Sequence, residues 1–179
     1  MFPEPLHPTV VHFPIVLGVV LPLLAAYALW RMHDGAPARA WGPVVLVAVL
    51  TWASAYVASR LGQQEEERVE AVLVSEDPLH EHEEAAELFL LVSGIVAGVA
   101  LLGLAPGMVG RSARLLALVG AVLGLTVVAR TGYLGGELAY RHGAAAAYTQ
   151  GTTGTMGTMG TAVAADTVGT DDNEGEDDR

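Results

Sequence analysis

The sequence lacks both cysteine and lysine over its 179 residues. Without cysteine there can be no disulfide, no thiolate metal site and no cysteine-ligated iron–sulfur cluster. All nine basic residues are arginines, and twenty acidic residues give a formal net charge of −11 at pH 7. An acidic surface repels a phosphate backbone, so we expect no nucleic-acid partner.

Charged side chains are also missing from four long stretches. Residues 10–30, 41–59 and 88–110 carry none, and residues 115–136 carry only Arg130. The mean hydropathy of the chain is +0.43. A bilayer core about 30 Å thick requires about 20 apolar residues per helix. The sequence therefore predicts an all-α membrane protein, an antiparallel bundle of four transmembrane helices.

This bundle is predicted to occupy residues 1–146. We expect its helices at about 8–31, 41–62, 78–105 and 112–142, with an acidic loop after Gly62. Residues 147–179 differ in composition, because a Thr/Gly/Met stretch leads into a segment with seven acids and one arginine over 166–179. Such a segment cannot bury enough apolar surface to fold, so we expect a disordered acidic tail.

The arginines suggest an orientation. The two short turns of the predicted bundle carry Arg31, Arg39, Arg111 and Arg114. The opposite side carries Arg60, Arg68 and Arg141 among many acids. Basic residues accumulate on the cytoplasmic side of membrane proteins. The sequence therefore predicts a multi-pass protein of a prokaryotic plasma membrane with both termini outside.

Five of the six histidines fall on the predicted outer side: His7, His12, His80, His82 and His142. Histidine is the commonest metal ligand, and such side chains at membrane segments are functional candidates. His12 should lie about one turn, roughly 6 Å, inside the first helix. His82 is expected to face the bundle and His80 the solvent, while His33 lies alone in an opposite turn.

The end of the fourth helix adds charged candidates. Glu137 and Arg141 are four residues apart in the order that favours a helical ion pair. Arg130 lies seven residues before Glu137 on the same face. It is either an interfacial anchor or the partner of an anion such as a haem propionate.

Pairs of small residues recur four apart in the helices, as in Gly94 with Gly98 and Gly120 with Gly124. This spacing lets helix backbones approach in lipid. Packing within one bundle explains the pattern, and a homodimer would use the same signal.

The pattern of histidine motifs resembles a known family. His-Pro-x-x-Val-His-Phe-Pro-Ile from His7, a histidine opening the third helix, and Gly-Gly-Glu-Leu-x-Tyr-x-His-Gly from Gly135 are similar to the membrane family called domain of unknown function 2231. The resemblance covers residues 6–143 and implies a small four-helix protein without an established activity. Some relatives are joined to Rieske-type or cytochrome-like modules, which implies a redox setting. The matching positions are His7, His12, His82, Gly135, Gly136, Glu137, Tyr140, His142 and Gly143.

Three interpretations remain open. In the first, His12 and His82 hold a b-type haem for electron transfer as axial ligands. His7 and His142 then form a second pair, or they bind the haem propionates together with Arg130. In the second, one shallow site binds a divalent transition metal through His7, His12, His82, Glu137 and His142. In the third, the protein is a structural subunit without cofactor.

No nucleophile–base arrangement is visible, so we do not expect an enzyme acting by itself. The first interpretation further predicts separate redox proteins as partners at the outer face.

Overall fold

The computed structural model describes residues 7–71, 73–75 and 77–146, and this part of the chain contains helices and no strand. The elements are α1 (His7–Val10), α2 (His12–His33), a 3₁₀ helix (Ala38–Trp41), α3 (Gly42–Glu70), α4 (Asp77–Leu102) and α5 (Gly107–Tyr140). The all-α prediction is confirmed. The predicted acidic tail, at 147–179, lies outside the described residues, as does the start of the predicted domain.

Prolines and polar caps set several helix starts. Pro43 occupies the first turn of α3, where its missing N–H has no intrahelical role. At the start of α4, Ser75 Oγ accepts a hydrogen bond from the Asp77 N–H at 3.3 Å. Pro78 follows in the first turn of α4.

Four segments are long and apolar enough to cross a membrane: His7–His33, Ala38–Glu67, Asp77–Leu102 and Gly107–Tyr140. Only 28–33% of each span is buried inside the bundle. The remaining surface carries large apolar side chains such as Leu23, Leu91 and Leu123. Because such a surface requires an apolar solvent, the protein is a membrane protein surrounded by a lipid bilayer.

Each long helix packs principally on two neighbours. The contacts run from α2 to α3, α3 to α4, α4 to α5 and α5 back to α2. Helices α2 and α4 are therefore diagonal, as predicted for the first and third spans. Trp41 at the start of α3 contacts Ala100 near the end of α4, and Val96 in α4 contacts Gly120 in α5. Neighbouring helices are consequently antiparallel.

Small side chains fill the centre of the bundle, among them Ala25, Ala48, Ala100 and Ala121. In lipid, such residues allow the close backbone approach that holds helices together. Of the predicted small-residue pairs, Gly120 and Gly124 face Val96 and Val92. These contacts lie within one chain.

The bundle has two chemically different ends. We call the end formed by the starts of α1, α2 and α4 and the ends of α3 and α5 the histidine end. The opposite end, with Arg31, Arg39, Arg111 and Arg114, is the arginine end. There, Trp41 Nε1 donates to the Ala100 carbonyl at 2.9 Å. Both groups are buried, and the bond satisfies a carbonyl in the last turn of α4.

The helix boundaries depart from the prediction in three places. Helix α3 continues to Glu70, well beyond the predicted end at 62, because its Glu, Gln and Arg residues are good helix formers. Helix α4 ends at Leu102 and α5 begins at Gly107 rather than 112. The first span is divided at Val11 into α1 and α2, close to Pro14, which has no N–H to donate to the preceding turn.

Candidate functional site at the histidine end

The structure places five of the six histidines at one end of the bundle. His7 begins α1, His12 begins α2, His80 and His82 lie in the first turns of α4, and His142 follows α5. Because the helices alternate in direction, these positions share the histidine end. His33 ends α2 at the opposite side of the bundle.

The His7 side chain lies in a shallow groove of α3. Its Nδ1 is 2.8 Å from the Ala58 carbonyl oxygen. Its ring covers Gly62, where an added Cβ would lie 3.1 Å from the His7 Cε1. The His7 backbone N–H also donates to Glu65 Oε1 at 3.5 Å. Two of these contacts hold the His7 ring against α3, and the third holds its backbone there.

His82 makes the corresponding contacts with α5. Its Nδ1 is 3.2 Å from the Thr131 carbonyl oxygen, and its ring covers Gly135, where an added Cβ would lie 3.0 Å from the His82 Cε1. The Thr131 hydroxyl donates in return to the Ala85 carbonyl of α4 at 3.0 Å. The two helices thus exchange hydrogen bonds around His82, which is half-buried as predicted.

His7 and His82 form a matched pair. They belong to the first and third spans, which are diagonal in the bundle. A carbonyl oxygen only accepts, so each Nδ1 carries the hydrogen and each Nε2 keeps its lone pair. Within the described residues, neither Nε2 has a hydrogen-bond partner. A carbonyl-bound Nδ1 with a free Nε2 is the usual state of a metal-ligating histidine.

His12 lies elsewhere, contrary to the expectation that it is partly desolvated inside the bundle. It is exposed. It lies five positions after His7, and at 3.6 residues per turn this places the two side chains about 140° apart. With His7 turned toward α3, His12 is turned outward, so the structure does not bring His12 and His82 together.

His80 behaves as the sequence predicts. It is 57% exposed, and its Nδ1 lies 3.6 Å from a carboxylate oxygen of Glu83, one turn later in α4. Only one residue, Glu81, separates His80 from His82, yet the helix directs the two side chains to different environments. His80 is therefore a natural control for experiments on His82.

His142 and Glu137 lie beside a separate cavity of about 250 Å³. The cavity lies between the start of α4 and the end of α5, and its lining is Asp77, Pro78, Glu81, Leu134, Glu137 and His142. The predicted ion pair is present, since Arg141 Nη1 donates to Glu137 Oε1 at 2.6 Å. This bond raises the pKa of the exposed Arg141 guanidinium.

The five proposed metal ligands are not gathered into one site. In the described part of the chain, no group of three or more His, Asp or Glu side chains is arranged to hold a metal ion. His7 and His82 face the bundle, His12 faces outward, and Glu137 and His142 line the side cavity. Arg130 is exposed and forms no hydrogen bond or ion pair with the described residues.

The sequence did not single out the groups that orient the histidines. Ala58 and Thr131 act through backbone carbonyls, which no side-chain pattern reveals. The glycines were a usable signal, since Gly62 and Gly135 lie at the helix ends where the histidines cluster. At the level of the sequence, Gly62 only marks the start of the acidic loop and Gly135 only forms part of the family motif.

Comparisons with known proteins add one result. No protein of curated function and no solved structure matches the chain. The family described as "Predicted membrane protein (DUF2231)" matches residues 3–148. This match covers all four spans and both histidine motifs. The chain therefore belongs to the family of predicted membrane proteins known as domain of unknown function 2231.

Proposed function

We propose that the protein is a membrane b-type haem protein that passes electrons, with His7 and His82 as axial ligands of the iron. One observation carries the proposal: His7 and His82, at the same end of the bundle, each bind a main-chain carbonyl through Nδ1 and have no hydrogen-bond partner at Nε2 within the described residues. These residues also offer no metal-binding group of three or more side chains. A bare ion such as zinc takes about four protein ligands. A haem brings four nitrogens of its own and requires only two from the protein.

The orientation of the two rings supports this choice. Each Nδ1–H donates to a main-chain carbonyl, of Ala58 or of Thr131. Such a bond fixes the tautomer and makes Nε2 a stronger donor toward iron. The glycines under the rings, Gly62 and Gly135, let each imidazole lie close to a neighbouring helix. Bound haem would supply one-electron exchange at its iron.

A macrocycle would require the helices at the histidine end to move apart. The cavity lined by residues such as Gly18 and Phe89 is only about 10 Å³.

Charged residues nearby suit a redox role. Arg130 directly precedes Thr131, whose carbonyl orients His82, and its guanidinium is available to a haem propionate. The histidine end is strongly acidic, with Glu65, Glu66, Glu67 and Glu70 on α3. Such a surface would attract a basic redox protein and speed its association. We place this end on the outer face of a prokaryotic plasma membrane.

The test is an absorption spectrum of the full chain, purified in mild detergent from haem-sufficient cells and recorded oxidised and dithionite-reduced. We expect a Soret band, with α and β bands that sharpen on reduction. His7→Ala and His82→Ala should each abolish it. His12→Ala and His80→Ala, which change exposed histidines at the same end, should retain it.

Two results would contradict the proposal. A featureless spectrum at full haem supply would leave the histidine bonds as purely structural links between helices. In that case His7→Ala and His82→Ala would lower thermal stability and change nothing else. Loss of the Soret band in His12→Ala, but not in His7→Ala, would restore the pair predicted from the sequence. Metal analysis of the same sample would test the divalent-metal alternative.

A further inference from the structure

A buried cation lies at the arginine end, far from the histidines. Arg114 is only 8% exposed, and its Nε donates to the Gly103 carbonyl at 2.7 Å. A guanidinium has five N–H donors, and within the described residues the terminal Nη groups of Arg114 have no partner. They are not completely enclosed, because the described part of the chain contains no fully buried side-chain N or O atom without a partner.

The first turn of α5 faces the same space. Pro106 precedes this helix with an extended conformation, no side chain caps it, and its first turn holds no acidic residue. The leading N–H groups of a helix lack intrahelical partners and carry a partial positive charge. Arg114 Nη2 lies 3.4 Å from where a Cβ of Gly110, the fourth residue of α5, would be, and the Ala105 carbonyl oxygen lies nearer to the same point. The guanidinium therefore lies beside the first turn of α5 and next to one backbone acceptor.

The carbonyl groups at the end of α4 offset part of this positive charge, but acidic side chains are scarce at the arginine end. Arg31, Arg39 and Arg111 are exposed at the same end, and Asp34 is the one acidic side chain among the described residues of its turns. The hydrogen bond to the Gly103 carbonyl at the end of α4 uses only the Nε of Arg114. A buried guanidinium is stabilised when an anion engages its remaining donors.

We infer that the arginine end binds a phosphate ester anion between the Arg114 guanidinium and the N-terminus of α5. Helix N-termini bind phosphate, and a guanidinium fork matches two phosphate oxygens. The same chemistry is offered by an anionic phospholipid headgroup and by free phosphate. Met108 and Val109, 82% and 62% exposed, flank the site with apolar surface. This surface favours the lipid, whose acyl chains would lie along it.

The test compares the thermal stability of the full chain in detergent with added phosphatidylglycerol, phosphatidylcholine or inorganic phosphate, the last against chloride at equal ionic strength. Met108→Asp places a carboxylate at the helix N-terminus, where it competes for the same N–H groups and supports the helix. Met108→Asn is the neutral control. Neither variant alters the bond between Arg114 and Gly103.

We expect phosphatidylglycerol to stabilise the wild type at a concentration at least about tenfold below that of phosphatidylcholine. This preference should be lost in Met108→Asp and kept in Met108→Asn. Arg114→Lys, which keeps the charge but not the fork, should weaken it. If Arg114→Lys fails to fold, the Met108 pair decides.

Stabilisation by inorganic phosphate over chloride, abolished by Met108→Asp, would support the same site and identify free phosphate as a source. An equal response to both lipids with no response to phosphate would overturn the inference. So would a Met108→Asp protein that responds as Met108→Asn does. Neither result bears on haem, because the spectrum reports on the opposite end of the bundle.

Discussion

At the scale of single residues, two glycines determine how the histidines lie. Gly62 and Gly135 have no side chain at the points where the rings of His7 and His82 rest. Any larger residue there would compete with an imidazole for the same space. The lone pair on each Nε2 is thus directed by a hydrogen bond on one side of the ring and by a glycine beneath it.

Gly135→Ala should therefore be more harmful than a neighbouring glycine substitution. An added Cβ would lie 3.0 Å from Cε1 and 3.4 Å from Nδ1 of His82, while none lies within 4 Å at Gly136. We expect Gly136→Ala to stabilise the helix by up to about 1 kcal/mol. Gly135→Ala should be less stable than Gly136→Ala by about 1–3 kcal/mol, since the ring must shift.

Unfolding by a denaturing detergent would measure both variants. Equal stability of the two would show that the His82 ring moves without loss, and would remove the argument that Gly135 positions it.

The sequence predicted part of this site. It identified the shared end, the bundle-facing His82 and the exposed His80, but it chose His12 over His7 as the inward ligand. The cause is physical. Residues on both faces of the first span are apolar, because one face meets lipid and the other meets protein. Phe13 and Val16 are exposed, for example, while Pro14 is buried. The spacing of apolar residues therefore does not indicate which face of the first span points into the bundle. In the structure, the contact of His7 with Ala58 determines that face.

At the scale of elements, Thr131 joins α4 to α5. Its hydroxyl lies 3.0 Å from the Ala85 carbonyl of α4 and 3.0 Å from the Val127 carbonyl of its own helix. Its own carbonyl accepts from His82. Thr131 thus donates one hydrogen bond to α4 through its hydroxyl and accepts one from α4 through its carbonyl.

Thr131→Val should weaken this junction. It keeps the shape of the side chain and removes the interhelical donor, and we expect a loss of about 0.6–2 kcal/mol in unfolding free energy. Thr126→Val is the matched control, because the Thr126 hydroxyl is exposed and bonds only the Val122 carbonyl of its own helix. Equal losses in both variants would mean that the bond to Ala85 contributes nothing to stability.

The number and placement of the helices could be predicted because four apolar runs of spanning length leave no other arrangement in a bilayer. The positions at which the helices end could not be predicted in this way. The run after Gly62 was assigned to a loop for its charge, but Glu65, Glu66 and Glu67 continue α3 beyond the apolar stretch. Charge marks where a helix leaves the membrane, and helix propensity decides where it stops.

At the scale of the whole molecule, the orientation in the membrane is the prediction most open to a direct experiment. The absence of cysteine means that a single introduced thiol is the only one present. Ala145 is exposed beyond α5 at the histidine end, and Ala38 is exposed at the arginine end. In intact cells, a membrane-impermeant maleimide should label Ala145→Cys and spare Ala38→Cys.

Permeabilised cells should show labelling of both variants, which controls for accessibility. The reverse pattern in intact cells would place the arginine end outside. A redox partner would then have to meet the acidic end from the cytoplasm.

The separation of acidic and basic residues between the two ends also makes the bundle a molecular dipole. Acidic residues outnumber the arginines at the histidine end, whereas the turns of the arginine end carry four arginines and one acidic residue, Asp34, with an apolar core between the two ends. A voltage of 100 mV changes the energy of one elementary charge carried across the membrane by about 2.3 kcal/mol. In a membrane held negative on the arginine side, the voltage itself therefore favours this direction of insertion. In a cell that has lost its membrane potential, this electrical contribution to the direction of insertion would be absent.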